Sequence, residues 1–302
     1  MSAANDPNWP SAATLLRPTP LAGRRTISLL GVSTFATSVS PRSATSTPQA
    51  VRAALGKFST WSFRDRVDVA EDVVLVDHGD VADPDGEGGH ERVVTAFLAS
   101  EESAVLRVIL GGDNAVTWHA MSALAGEHFD EFGLITLDAH LDMREGRSNG
   151  SPVRQLLDEG LDPRHVVHVG IDDFSNSPAY ARVSLEKGVT IIERDAFHHG
   201  DPATIARRAL EIASEGGRKV YVDIDLDCAD RTSVPGCPAA VPGGLSADEV
   251  RNFVREVCSN ESVVAIDFTE VDVERDSADQ RTVRLVALLV LEAVAGVRRR
   301  ST

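Results

Sequence analysis

The chain has few cysteines and no paired ones: Cys228, Cys237 and Cys258 follow no CxxC spacing. An odd, small set argues against a disulfide framework or a thiolate zinc site. It fits a reducing compartment, so a cytoplasmic protein is expected. No apolar run approaches the ~20 residues of a membrane-spanning helix. The longest, Leu285 to Leu291, stops at Glu292 and reads as a buried helix. Basic residues are in deficit, 30 against 46 acidic, for a net charge of −16. A uniformly acidic surface repels phosphate backbones, which makes nucleic acid a poor partner. An anionic substrate would need local arginines to overcome that field. Arg24-Arg25 before a short apolar run faintly resembles a twin-arginine export signal. That run is broken by Ser28, Ser33 and Thr34, and reads better as a first core strand behind a basic pair.

What is present is an alternation. Residues 1–24, rich in Pro, Ala and Asn, read as a flexible arm, and 25–302 as a single domain with no repeat and no linker. Strands are expected at Ile27–Val32, Val73–Val76, Leu106–Leu110, Leu134–Leu137, Val166–Val169, Thr190–Ile192, Val220–Asp225 and Val263–Asp267. Several are continuously apolar, as parallel strands covered on both faces are. Helical patterns lie between them. One starts at Thr47-Pro48, one behind the cap Asp201, one at Ser246 with Glu249 three residues later as a capping box, and the last spans about 279–297. Eight strands alternating with helices predict a three-layer α/β/α sandwich with a central eight-stranded parallel sheet.

Open parallel sheets bind ligands beyond the carboxyl ends of their strands. There the sequence reads "GGDNAVTWH", "DAHLD", "DIDLDCAD" and "DFTEVD". Asp138 and His140 differ by two, as do Asp225 and Asp227, so each pair shares one face of an extended segment. Asp138, Asp142, Asp225 and Asp227 in one crevice would be prohibitive without cations. Divalent metal is the simple remedy. Carboxylates with one imidazole suit Mn2+ better than Zn2+. Taken singly, each acid could instead be a solvated strand end or a helix cap.

These motifs resemble the ureohydrolase superfamily of arginases, agmatinases and formimidoylglutamases. "GGDN" at 111–114 is similar to GGDH, "DAHLD" at 138–142 to DAHxD, and "DIDLDCAD" at 223–230 to SxDxDxxDP. "PGCPAAVPGGL" at 235–245 and "DFTEVD" at 267–272 follow in the family's order. The resemblance covers about residues 26–297. It implies a dinuclear Mn2+ site, hydrolysis of an amidine-type C–N bond, and trimers or hexamers. One metal set would be Asn114, Asp138, Asp142 and Asp225; the other His140, Asp138, Asp225 and Asp227. Asn114 stands where the family has histidine. It is either a weaker oxygen ligand or a loop residue without a metal role, so a weak or empty first position is expected.

Asn149 stands where arginases and agmatinases carry a second histidine. "DMR" at 142–144, "SNGSPVRQLL" at 148–157 and "GIDDFSNS" at 170–177 resemble the formimidoylglutamase branch instead. The substrate this implies is N-formimidoyl-L-glutamate, a small anionic amidine released as glutamate and formamide in histidine breakdown. Arg144 and Arg154 become candidates for its carboxylates, since a guanidinium binds them bidentately. Asn149 is counted with them. Asp227 and Glu270 are the expected catalytic residues, Asp227 as proton acceptor and Glu270 on the amidine nitrogen. His119 is expected to pack. Two other readings stay open: a guanidino-acid or agmatine-type ureohydrolase, and a metal-poor, non-catalytic relative.

Overall fold

The structure, a computed structural model, describes residues 6, 8–41, 43, 46–100 and 103–301. Eleven strands run in chain order: β1 Leu16–Arg17, β2 Arg25–Val32, β3 Trp61–Ser62, β4 Val67–Asp68, β5 Val73–Asp80, β6 Leu106–Gly111, β7 Phe132–Leu137, β8 Val166–Ile171, β9 Thr190–Glu193, β10 Lys219–Asp225 and β11 Val263–Thr269. Nine form one sheet in the order β1-β5-β2-β6-β11-β10-β7-β8-β9, while β3 and β4 make a separate small ribbon. Every pairing in the large sheet is parallel.

All eight expected strands are present. The ninth is β1, from the segment expected to be a loose arm. That arm holds Ala12 and Leu15, both buried, and β1 pairs with β5 through Leu16 and Arg17. The Pro and Asn content hid an apolar anchor. Residues 1–5 and 7 of the expected arm lie outside the described residues.

The helices are α1 Thr47–Leu55, α2 Gly89–Ala99, α3 Ala115–Ala125, α4 Pro152–Asp158, α5 Pro178–Lys187, α6 Asp195–His199, α7 Pro202–Ala213, α8 Ala247–Cys258 and α9 Arg281–Arg298. They cover both faces. One core, with α1, α7, α8 and α9, is built on residues such as Val222, Ile224, Phe253 and Leu289. The other, with α2, α3 and α4, is built on Ile109, Val116, Met121 and Tyr221. This double cover explains why β7 and β8 are buried at every position rather than alternately. The capping box expected at Ser246 and Glu249 is formed, and Asp201 caps α7 through Thr204 N.

Arg25, of the suspect basic pair, opens β2. Its guanidinium donates to the carbonyls of Val297, Arg298 and Arg300, at 2.9, 2.8 and 2.7 Å. It therefore closes the C-terminus of α9, where unpaired carbonyls concentrate negative charge. No helix among the described residues is long and apolar enough to cross a membrane.

Candidate active site

The acid-bearing strand ends are β6, β11, β10 and β7, four consecutive strands at the centre of the sheet. Their carboxyl ends open onto a cleft of about 230 Å³. It is lined by His140, Asp142, Arg144, Asn149, Asp225, Asp227 and Glu270, with Ser175, Asn176, Ser177 and Tyr180 on one side. Of two larger depressions, one of 410 Å³ lies elsewhere and one of 770 Å³ adjoins the cleft at Leu141, Asn176 and Ser177, and neither is lined by this acid cluster.

Backbone geometry sets the loops. At Gly112 an added Cβ would sit 2.1 Å from the Thr34 carbonyl oxygen, so only glycine allows β6 to turn there. The Gly112 carbonyl then accepts from Glu270 N at 2.9 Å, tying the β6 and β11 loops together. Asp142 and Glu270 both hold left-handed φ values, 49° and 59°. Non-glycine residues rarely adopt this conformation, and it is concentrated where function fixes a side chain. Asn176 pins the 138–142 loop, accepting from Leu141 N at 2.9 Å and donating to the Ala139 carbonyl at 2.8 Å.

Asp138, His140 and Asp227 each bring one donor atom within 4.8 Å of the others. His140 Nδ1 lies 2.9 Å from Asp227 and 3.5 Å from Asp138. Asp227 also accepts from Ala139 N, and Asp225 accepts from Asp227 N. Asp138 Oδ2 is buried without a hydrogen-bond partner among the described residues. An orphaned carboxylate oxygen beside an imidazole and a second carboxylate fits a divalent cation, which would satisfy all three.

The electrostatics agree. Burial, then the Asp227 charge, pushes Asp138 up to about 7. Burial and neighbouring acids also raise Asp142 and Asp225 well above the carboxylate range. Burial opposes the charge on His140, but Asp227 and Asp138 overcome it and push the imidazole up to about 12. Asp227 goes down despite its burial, because His140 faces it. Among the described residues His140 is the cation in direct contact with these acids, too little charge to keep them all ionised.

Asn114 sits at the start of α3, fully within this cluster. Its Oδ1 accepts from the Thr269 hydroxyl at 2.8 Å and lies 2.9 Å from the Thr117 hydroxyl. Its Nδ2 donates to Asp142 at 2.6 Å, and its backbone N donates to Glu270 Oε1 at 2.8 Å. Asn149 Nδ2 donates to the same Glu270 oxygen at 2.9 Å and its Oδ1 accepts from Val39 N. Arg144 lies exposed at the lip, across Gly150, and no carboxylate of the described residues pairs with it.

Arg154 is not brought to this cleft. On α4 its guanidinium points behind the loop to the Met143 carbonyl, at 3.4 Å, and it lines a separate surface depression. Its spacing of ten from Arg144 carries it around the start of the helix and out of the cleft. His119 packs as expected, its Nδ1 3.0 Å from that of His90.

Sequence reasoning missed a polar layer beneath the cluster. Asp223 and Asp267 pair across β10 and β11, and the Tyr221 hydroxyl donates to Asp267 at 2.7 Å. Thr117 touches the same Asp267 oxygen at 2.9 Å. Asp223 stood inside the quoted "DIDLD", and its two-residue spacing from Asp225 was the available signal.

Residues 25–296 match the Arginase family. Formimidoylglutamase of Bacillus subtilis (strain 168) is 31% identical over 282 residues, covering 89% of this chain and 86% of that protein. The formimidoylglutamase of Halobacterium salinarum is 31% identical over 264 residues, covering 84% and 82%. The crystal structure of the B. subtilis formimidoylglutamase aligns with a TM-score of 0.89 at 27% identity, covering 99% of this chain and 95% of that one. A Trypanosoma cruzi formiminoglutamase solved with Mn2+ shares the fold, with a TM-score of 0.87 at 20% identity, over 97% of this chain and 100% of that one. With a match that runs through every strand end carrying an acid, and relatives alike over most of their length, this chain belongs to the Arginase family.

Proposed function

We propose that the chain hydrolyses N-formimidoyl-L-glutamate to L-glutamate and formamide. The observation that carries this reading is Asn149 hydrogen-bonded to Glu270 beside the acid cluster, where guanidine-cleaving relatives would be expected to carry a histidine. The formimidoylglutamases alike over most of the chain support it. Asp138, His140, Asp142, Asp225 and Asp227 would hold the metal, with manganese the best match to their mostly oxygen donors. When bound, it supplies counter-charge for these acids and a water nucleophile at neutral pH.

The chain's own residues do the rest. Glu270, fixed by two N–H donors on one oxygen, orients the cationic amidine so that its carbon faces the acid floor. Water adds to that carbon, the bond from it to the glutamate nitrogen breaks, and the nitrogen takes up a proton. Asp227, beside His140, relays that proton from the nucleophile. Arg144 at the lip binds a substrate carboxylate and offsets the net charge of −16 locally. Asn114 holds Glu270 and Asp142 and leaves the first metal position the weaker one. A cytoplasmic homo-oligomer, trimeric or hexameric, acting in histidine breakdown completes the proposal.

The test is formamide release from N-formimidoyl-L-glutamate by purified protein, with Mn2+ and in parallel with a chelator. Manganese-dependent turnover is expected. Turnover of agmatine or a guanidino acid alone would replace the substrate, and no turnover of either class would leave the non-catalytic reading.

A further inference from the structure

Away from the acid cluster, two imidazoles face each other. His90, at the start of α2, and His119, on α3, bring their Nδ1 atoms to 3.0 Å. Both rings are half-buried and line a cavity of about 180 Å³ that shares no lining residue with the acid cleft. Neither ring has another hydrogen-bond partner among the described residues. A structural histidine ordinarily gives a ring N–H to a carbonyl or a carboxylate; here each imidazole has only the other. The geometry points to a two-imidazole site for a late first-row divalent metal of tetragonal preference, Cu2+ foremost, separate from the acid cluster.

Spacing sets the kind of ion. Two nitrogens about 2.0–2.1 Å from one ion, at a right angle to each other, stand about 3 Å apart; a tetrahedral angle would part them by about 3.4 Å. The observed 3.0 Å therefore suits a tetragonal ion better than tetrahedral Zn2+. Both imidazoles are neutral at pH 7, since burial lowers His90 below its usual 6.5 and His119 to about 4. The pair shares one Nδ1 proton. Moving that proton to Nε2 of the same ring frees both lone pairs and loses no proton. The rings are also held in place. Trp118 stacks on His90 at 4.5 Å between centroids and meets His119 edge-on at 4.7 Å, while its Nε1 donates to Glu159 at 2.7 Å. Ligands fixed in advance lose little freedom on binding. The charges divide. Arg147, 4.6 Å from the Trp118 ring, opposes a cation, as does the N-terminal end of α2. Asp85 lines the same cavity, and Glu91 and Glu159 face the pair, so carboxylates outnumber that arginine. The cavity leaves the remaining coordination positions to water.

The experiment titrates Cu2+ into protein already equilibrated with Mn2+. Tryptophan fluorescence and the electron paramagnetic resonance of the first Cu2+ bound are followed in wild type, His90→Gln and His119→Gln, each checked for folding by thermal melting. In wild type the first ion should quench Trp118 and give a spectrum split by two imidazole nitrogens. Each variant should weaken that binding at least 10-fold and lose one of the two nitrogens. His90 lies at the partly exposed start of α2, so His90→Gln decides alone should His119→Gln not fold. Cu2+ taken up by the acid cluster, or by the neighbouring His198 and His199, would be indifferent to changes at 90 and 119. Variant affinities within about 3-fold of wild type therefore overturn the assignment, as does the absence of Cu2+ binding in wild type.

Discussion

At the scale of the residue, the cluster is organised by what its acids lack. Asp138 keeps one buried oxygen without a partner among the described residues, and burial beside Asp227 moves its carboxyl up to about 7. Removing one carboxylate from such a site takes away a ligand. Asp138→Ala should lose bound Mn2+ by metal analysis and lower turnover at least 100-fold; a variant that retains both is incompatible with the site. Arg144 differs in kind. It is exposed, lies on the lip, and its effect should appear in binding. Arg144→Ala is expected to raise KM for the dicarboxylate substrate on the order of 10-fold, with kcat changed much less, because one charge-assisted pair is lost in ground and transition state alike. Steady-state kinetics separate the two. Arg154→Ala, measured alongside, should leave KM unchanged, since its guanidinium lies against the Met143 carbonyl.

Elements place these residues, and their own ends need satisfying. The left-handed Glu270 directly follows β11 and the left-handed Asp142 lies in the loop after β7, and such strain persists only where the surroundings over-determine it. The pinning groups are Asn176 on the first loop and the Gly112 carbonyl on the second. At the far side of the sheet, α9 ends on Arg25, whose guanidinium takes two of its terminal carbonyls, Val297 and Arg298, and that of Arg300 just beyond. Arg25→Ala should destabilise the fold by about 2 kcal/mol, the scale of hydrogen bonds to a charged group. Urea unfolding would show this as a lower midpoint with little change in slope. An unchanged midpoint would mean that water replaces the guanidinium without loss.

For the whole molecule, pH dependence tests what the sheet buries. His168 lies in β8, fully buried, 2.8 Å from the Thr136 hydroxyl, and burial lowers it from 6.5 to about 4. Above pH 6.5 neither folded nor unfolded chain protonates it, so its contribution is intact. Between 6.5 and about 4 the unfolded chain binds a proton that the fold refuses, and stability falls as pH falls. The loss across that interval is on the order of 3 kcal/mol. In chelator-treated protein, His168→Gln should flatten the fall in urea midpoint between pH 7.5 and 4.5 relative to wild type. Equal slopes would show that His168 is charged in the fold or that its burial costs nothing.

Much of this was present in the chain itself. Continuous apolar runs such as 134–137 and 166–169 mark strands covered on both faces, because only a doubly packed strand needs every side chain apolar. Acids spaced by two at the ends of those runs mark a candidate cation site, because an extended segment puts them on one face and like charges need a counter-ion. Tertiary structure alone decided the remainder. The sheet order makes β6, β11, β10 and β7 neighbours, although β6 and β11 are far apart in sequence. Helix phase turned Arg154 away from the cleft that Arg144 lines. The ninth strand arose because two buried side chains, Ala12 and Leu15, outweigh a segment's polar composition. The contact of Asn114 with Asp223 spans 109 residues. Local pattern encodes which faces are apolar and which carry charge, but distances between such faces exist only after the chain has packed.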